Sequence, residues 1–524
     1  MLALIAAGIG LSEVGRAADP PLEVGLRKQL FVDDYVIAEM NGVSRELGLA
    51  TKENGAEPVL IADQPWEQGH RIGFYQTALW DPDDARFKLW YLAQMPGHRD
   101  RAGFAPVDSP TGEQITGVAY AESSDGIHWT KPEVGLRYRE IVQGRPDPNP
   151  ITNVVTFGHG FGTMLDPNAA PGAEDRFRAA FDSQFDTRAD GGDVNAAVLA
   201  FSADGARWEP YNRGRAVTGR AADTQNQILW NPLTRRFMLI TREDLAGDVE
   251  EGEIRGTRVM EHRKRGDKLD QRPAAWRTLA ILGFAKGGEY ERRRRQIHAF
   301  TDWIYEGVHF GFISAMERLT DDEYSSTPAD LQTRHRNNIV NFYLATSRDA
   351  EAWNLDWAYA SKPLIRRGPA GSWDKDGIHA PSLVTVQDRH WIFYCGMSER
   401  FGHDDPRGLM GIGLATLRLD GFVSLRAGQA EGSVETKPFE LVGSRLELNL
   451  EAPTGELRVE VLDAGGDPIP GFTRNETQPL ANADGLRLQA AWQGQAGLGA
   501  LIGREIRLRF YLRDARLYAF QVQM

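Results

Sequence analysis

Ser123-Ser124-Asp125-Gly126-Ile127-His128-Trp129 recurs as Ser202-Ala203-Asp204-Gly205-Ala206-Arg207-Trp208 and again as Ser347-Arg348-Asp349-Ala350-Glu351-Ala352-Trp353. A degenerate fourth copy reads Thr416-Leu417-Arg418-Leu419-Asp420-Gly421-Phe422. The aspartates at 125, 204, 349 and 420 are spaced by 79, 145 and 71 residues. The doubled middle gap predicts one further copy between Thr257 and Trp276, stretched by the polar stretch Arg263 to Arg272. The carboxylate can accept backbone N–H groups of a tight turn, glycine, where it stands, supplies positive φ, and the tryptophan packs. The signature therefore reads as structural, and no catalytic role falls on its aspartates.

Around each copy the same strand signals repeat. An apolar stretch (Gly73–Trp80, Gly162–Leu165, Gln225–Trp230, Ile297–Tyr305, Ile378–Val386) is followed by a polar turn and a second strand rich in aromatics. Repeats of this length, built from short strands and turns, predict a β-propeller of five four-stranded blades. After Asp420 the pattern changes to strict alternation, as in Leu457-Arg458-Val459-Glu460-Val461 and Glu505-Ile506-Arg507-Leu508-Arg509-Phe510. That period marks half-buried antiparallel strands. The expected organisation is all-β: a signal peptide over 1–18, a five-bladed β-propeller over 19–420 and a C-terminal β-sandwich over 421–524. Leu30-Phe31-Val32-Asp33-Asp34-Tyr35 is expected to supply the strand that closes the ring.

The 524 residues carry 60 Lys and Arg against 73 Asp and Glu, a net charge of −13. An acidic chain is a poor partner for nucleic acid. One cysteine, Cys395, excludes an intramolecular disulfide. The apolar run Leu2–Leu11 is too short to span a bilayer, and Ala17 and Ala18 follow it as small cleavage-site residues. Export to the periplasm or cell exterior is the expectation; no membrane span is.

In a propeller, functional side chains gather just before the first strand of each blade and just after the second. This geometry selects Asp223, Glu243, Asp376 and Glu399 as candidate catalytic carboxylates. It selects His159, Gln225, Arg242, His298, His379 and Arg400 as substrate-binding residues. Two carboxyls facing one sugar linkage are what glycosidic cleavage needs: one protonates the leaving oxygen, the other attacks or activates water. Arg242 can hold a neighbouring carboxylate ionised. His159, His298 and His379 lie on three first strands and can meet at the axis, but lack a close-spaced zinc motif. No cofactor is expected; a structural Ca2+ on the axis is the one metal the pattern admits. Glu291-Arg292-Arg293-Arg294-Arg295, if on the rim, would favour an anionic glycan.

Leu30–Tyr35, Asp-Gly-Ile-His-Trp at 125–129, Asp223-Thr224-Gln225-Asn226 and Asp420-Gly421-Phe422 together resemble exported bacterial proteins similar to the five-bladed propeller glycoside hydrolases of families 32, 43 and 68. The resemblance spans nearly the whole chain. It implies a secreted hydrolase acting on a plant or algal polysaccharide or oligosaccharide. The Trp-x-Asn-Asp-Pro-Asn, Arg-Asp-Pro and Glu-Cys motifs of family 32 are absent, and Cys395 stands in Tyr394-Cys395-Gly396. His379-Ala380-Pro381-Ser382 has histidine where family 43 segments carry an acid. Catalytic residues therefore do not transfer by motif. A non-catalytic glycan-binding propeller, or a lyase acting on an anionic glycan, are the alternative readings.

Overall fold

The computed structural model describes residues 22–67, 71–95, 115–137, 150–182, 196–218, 222–246, 254–266, 268–270, 272–288, 291, 294–318, 338–400, 409–495 and 497–524. The expected signal peptide, Arg292 and Arg293 lie outside these residues. The chain divides into two compact units, one of residues up to Glu46 with Ser424–Met524, the other Leu47–Val423. Among the described residues no helix is long and apolar enough to cross a membrane.

The larger unit is a succession of antiparallel meanders. The first runs Ile72–Asp81, Arg86–Met95, Ile115–Ser123, Trp129–Thr130; the second His159–Leu165, Phe177–Asp182, Ala197–Ser202, Glu209–Pro210. The third runs Gln227–Asn231, Arg236–Ala246, Ile254–His262, Trp276–Leu282. The fourth is Arg295–Tyr305, Val308–Arg318, Asn338–Ser347, and the fifth Gly377–Val386, Arg389–Met397, Met410–Arg418. The last two share one seven-stranded sheet through a single parallel pair, Val340 with Gly377. The first strands touch in a closed circuit: meander one against two, two against three, three against four, four against five, and five against one. All five line one central cavity.

The repeated turn explains how neighbouring meanders lock. Asp125 Oδ1 accepts the N–H groups of Ile127 and His128 at 2.9 and 2.8 Å, Ser123 Oγ accepts that of Gly126, and Trp129 Nε1 donates to the Gly126 carbonyl. Asp204 and Asp349 repeat these bonds, with Ala350 at φ +62° where the other copies have glycine. Gly205 has φ +79°, and a Cβ there would sit 2.6 Å from the Trp90 ring of the preceding meander. The stretch 416–422 departs from this turn: the Asp420 N–H donates to His390 Nε2 and its carboxylate takes the Tyr305 hydroxyl. Ile254–His262 pairs with Trp276–Leu282 where the sequence places the unrecognised copy.

The smaller unit is one ten-stranded sheet around a core that includes Leu446, Leu448, Leu508, Phe510 and Phe520. In Glu505–Arg513 every second side chain, Ile506 to Leu512, is buried, as the alternation requires. Here one expectation is corrected. Leu30–Tyr35 does not close the ring; Gln29 and Leu30 pair with Phe520 and Ala519, and the fully buried Phe31 packs against Phe510 and Phe520. The aromatic wedge finds its apolar partners in this core. Thr51–Lys52, pairing with Thr416 and Ala415, is the strand that joins the fifth meander. Beside the expected boundaries 19–420 and 421–524, the compact units among the described residues run 47–423 and 22–46 with 424–524.

Candidate active site

Four first strands are irregular near their entrance: register shifts fall between Ile72 and Gln76, His159 and Gly162, Ile297 and Ala299, and His379 and Ser382. A bulge bends the strand and re-aims a side chain. Gly160 illustrates the constraint: at φ +60°, a Cβ would lie 1.5 Å from the Thr224 carbonyl of the next meander. The bulges bring Phe74, Tyr75, His298 and His379 together. The His379 ring stacks on Phe74 at 4.4 Å, and Tyr75 meets His159 edge-on at 4.8 Å and lies parallel to His298 at 6.2 Å.

Hydrogen bonding fixes the tautomers. His379 Nδ1 lies 2.6 Å from the Phe74 carbonyl, which only accepts, so Nδ1 carries the proton. His379 Nε2 then accepts from His298 Nδ1 at 2.8 Å, which leaves His298 Nε2 as the acceptor end of the relay. Burial pushes His379 down to about 3, the Phe74 bond opposing and nearby His159 adding slightly. Burial also lowers His159, against the charge of Asp223. Tyr75 is raised well above the usual phenol range by burial and then by Asp223. Its buried hydroxyl has no hydrogen-bond partner among the described residues.

Asp223 stands beside this cluster, before the first strand of meander three, with 42% of its side chain exposed. Its Oδ1 is 3.3 Å from His159 Nδ1 and its Oδ2 is 3.4 Å from Arg242 Nη1. Arg242, only 4% exposed, also brings Nη2 within 3.0 Å of Asp244 Oδ1. Burial, then neighbouring Arg255, lowers Arg242 from its usual value. One guanidinium thus bridges two carboxylates. Summing both contacts and the guanidinium width, their nearest oxygens are no more than about 9 Å apart.

Strand parity sorts the residues around Arg242. Side chains alternate along Arg236–Ala246, so Arg242 and Asp244 share one face and Glu243 takes the other. Glu243 is ion-paired there with Arg258. Asp244 was recoverable from the sequence: once Arg242 is aimed at the mouth, its second neighbour follows.

Gln225 is buried, donating to the Phe161 carbonyl at 3.1 Å, with no partner for Oε1 among the described residues. Asp376 is ion-paired with Lys375, and its backbone holds Met397 and Val340. Glu399 and Arg400 follow the second strand of meander five and are partly exposed. Asp374 is held by Lys52 and Tyr394, and Glu317 by Arg295, Asn341 and Tyr343. Arg295 is buried, donating to the Ala358 carbonyl at 2.7 Å and paired with Glu317, so it braces the fold rather than lining a rim. Among the described residues no group of three or more His, Cys, Asp or Glu is placed to hold a metal ion.

No family model and no curated protein matches the chain. Solved structures similar to it include one described as a glycoside hydrolase, at 14% identity and TM-score 0.41, covering 70% of this chain and 92% of that one. Another is a beta-1,2-mannobiose phosphorylase from Listeria innocua, at 12% identity and TM-score 0.41, covering 71% and 98%. A third is a GH32 beta-fructofuranosidase from Bombyx mori, at 11% identity and TM-score 0.37, covering 89% and 94%.

Proposed function

We propose that residues 47–423 form a five-bladed β-propeller and that the chain is a carbohydrate-active enzyme, a glycoside hydrolase with Asp223 and Asp244 as its carboxylate pair. The observation that carries this reading is the Arg242 bridge between them. Glycosidases hold two carboxyls roughly 5–9.5 Å apart, and the bridge keeps this pair below the upper end of that span. One carboxyl gives its proton to the leaving oxygen as the glycosidic C–O bond breaks. The other takes a proton from the water whose oxygen joins the anomeric carbon. Asp223 is the more exposed and meets the substrate; His159 and Arg242 position it.

The proximity of Arg255 to Arg242 supports a second reading, in which the two guanidiniums seat inorganic phosphate and the glycosidic bond is cleaved by phosphorolysis. The test is a panel of plant and algal oligosaccharides, with and without phosphate, using wild type, Asp223→Asn and Asp244→Asn. Both variants should lose at least about 100-fold in kcat while remaining folded. Full activity in either removes that carboxylate from the mechanism. Strict dependence on phosphate selects phosphorolysis.

A further inference from the structure

The third meander departs from the repeat where its third strand ends. In meanders one, two and four that strand runs into a tight turn closed by an aspartate; here the 263–272 loop intervenes before Trp276–Leu282. The loop holds five Lys and Arg against two Asp, in a chain of net charge −13. Its form is fixed by His262, which is buried. The Lys264 carbonyl only accepts, so His262 Nδ1 donates to it at 3.0 Å, and His262 Nε2 accepts the Asp270 N–H at 3.2 Å. One neutral imidazole thus ties both arms of the loop. Arg236 Nη1 donates to the Arg263 carbonyl at 2.7 Å, and the Gly266 N–H donates to the Arg235 carbonyl at 2.9 Å. Leu269 packs against the apolar cluster of Leu199, Phe237 and Trp276, shared by meanders two and three.

The loop borders a hollow of about 670 Å3. Lys264, Arg265 and Lys268 stand exposed in its wall, and none of them has an ion-paired carboxylate among the described residues. The acids beside them are already taken. Arg272 holds Asp270 at 2.6 Å, and Arg178 holds Asp166 and Asp175, which flank Lys268 from meander two, at 2.6 and 2.7 Å. Cations grouped on a fixed loop without counter-ions are a site for an anion, and a loop already held loses little freedom on binding. The wall has no Phe, Tyr or Trp on which bases could stack, which disfavours single-stranded nucleic acid. Leu269 is its one aliphatic side chain, so a membrane finds no apolar face there. An acidic polysaccharide needs neither: its carboxylates or sulfates pair with the cations while its chain stays in water. The hollow is also remote from the mouth. Arg242 pairs with Thr257, and His262 ends the same strand about 17 Å further on.

We propose that the 263–272 loop is an anchoring surface for an acidic polysaccharide, held by Lys264, Arg265 and Lys268 away from the mouth. The choice of a glycan rests on the carbohydrate-active reading; the charge argument does not. The test is calorimetric titration of the intact protein with polygalacturonate and with dextran sulfate. Dextran, a thymidine oligonucleotide and phosphatidylserine vesicles are the comparison probes. Titration reads binding without turnover, so its outcome stands whether or not Asp223 and Asp244 are catalytic. At least one acidic polysaccharide should bind saturably, and dextran should not. Raising NaCl from roughly 50 to roughly 150 mM should weaken that binding at least about threefold. Lys264→Gln/Arg265→Gln/Lys268→Gln should weaken it at least about tenfold, and Arg265→Gln alone about threefold. Arg86→Gln/Lys362→Gln/Arg504→Gln removes the same charge from exposed sites elsewhere and should keep the affinity within about twofold. Failure of both acidic polysaccharides to bind would overturn the proposal. So would equal weakening by the two triple variants, or tighter binding of the oligonucleotide or the vesicles through the same three residues.

Discussion

Lowering the pH from 7 to 5 should destabilise the Leu47–Val423 unit through His379. Its side chain is fully buried, and its value in the fold is about 3 against 6.5 ordinarily. Between those values the unfolded chain binds a proton that the folded one refuses, so stability rises with pH. The contribution is complete above 6.5 and is lost as pH falls toward 3. Each pH unit well inside the window is worth about 1.4 kcal/mol, and the step from 7 to 5 about 2 kcal/mol. His379→Gln retains a donor for the Phe74 carbonyl and an acceptor for His298 but cannot titrate. Urea unfolding of both proteins at the two pH values, followed by tryptophan fluorescence, gives the difference directly. His159, also lowered by burial, contributes to both and cancels to first order. Wild type should lose about 2 kcal/mol more than the variant. A difference near zero would mean that His379 takes its proton in the folded state, and the tautomer relay would fall with it.

Parity along Arg236–Ala246 separates two adjacent acids: Glu243→Gln should keep kcat within about threefold, whereas Asp244→Asn should abolish most of it, measured on whichever glycan proves active. Arg242→Lys should cost at least about tenfold in kcat/KM with little change in Tm, because one ammonium cannot hold both carboxylates as a planar fork does. Two glycines of equal backbone conformation should respond unequally in thermal melts. Gly172→Ala, at φ +76° with open space around it, should cost about 1 kcal/mol; Gly205→Ala, at φ +79° and facing Trp90, should cost about 2–3 kcal/mol.

The turn signature was legible because every atom of its logic is local: carboxylate, hydroxyl and indole all bond within six residues. Three of those turns fall after the third strands of meanders one, two and four, and the doubled gap between the second and third falls on Ile254–His262 and Trp276–Leu282. Long-range pairing was less accessible. Nothing within Leu30–Tyr35 says which sheet Phe31 will enter, because that choice depends on the apolar surface around Phe510 and Phe520. The site was half legible for the same reason. Asp223, Arg242 and His159 were named from their places beside strands, and the structure brings these three together. Glu243 was named from its position after a strand; side-chain alternation, which sets it on the face opposite Arg242, was not used. The bulges at Tyr75, His298 and His379 break the two-residue period, so the meeting of these rings follows from backbone irregularity rather than from pattern.

The short pairing of Thr51–Lys52 with Ala415 and Thr416 has a kinetic meaning. Glu53 and Thr416, hydrogen-bonded alongside it, are 363 positions apart. During synthesis the last sheet of the ring has no edge partner from the start of the domain until its own third strand has left the ribosome. Contacts this distant close late and slowly. Shortening the chain anywhere before residue 418 should therefore leave an open edge available to other molecules, and the yield of assembled protein should depend on protecting that edge.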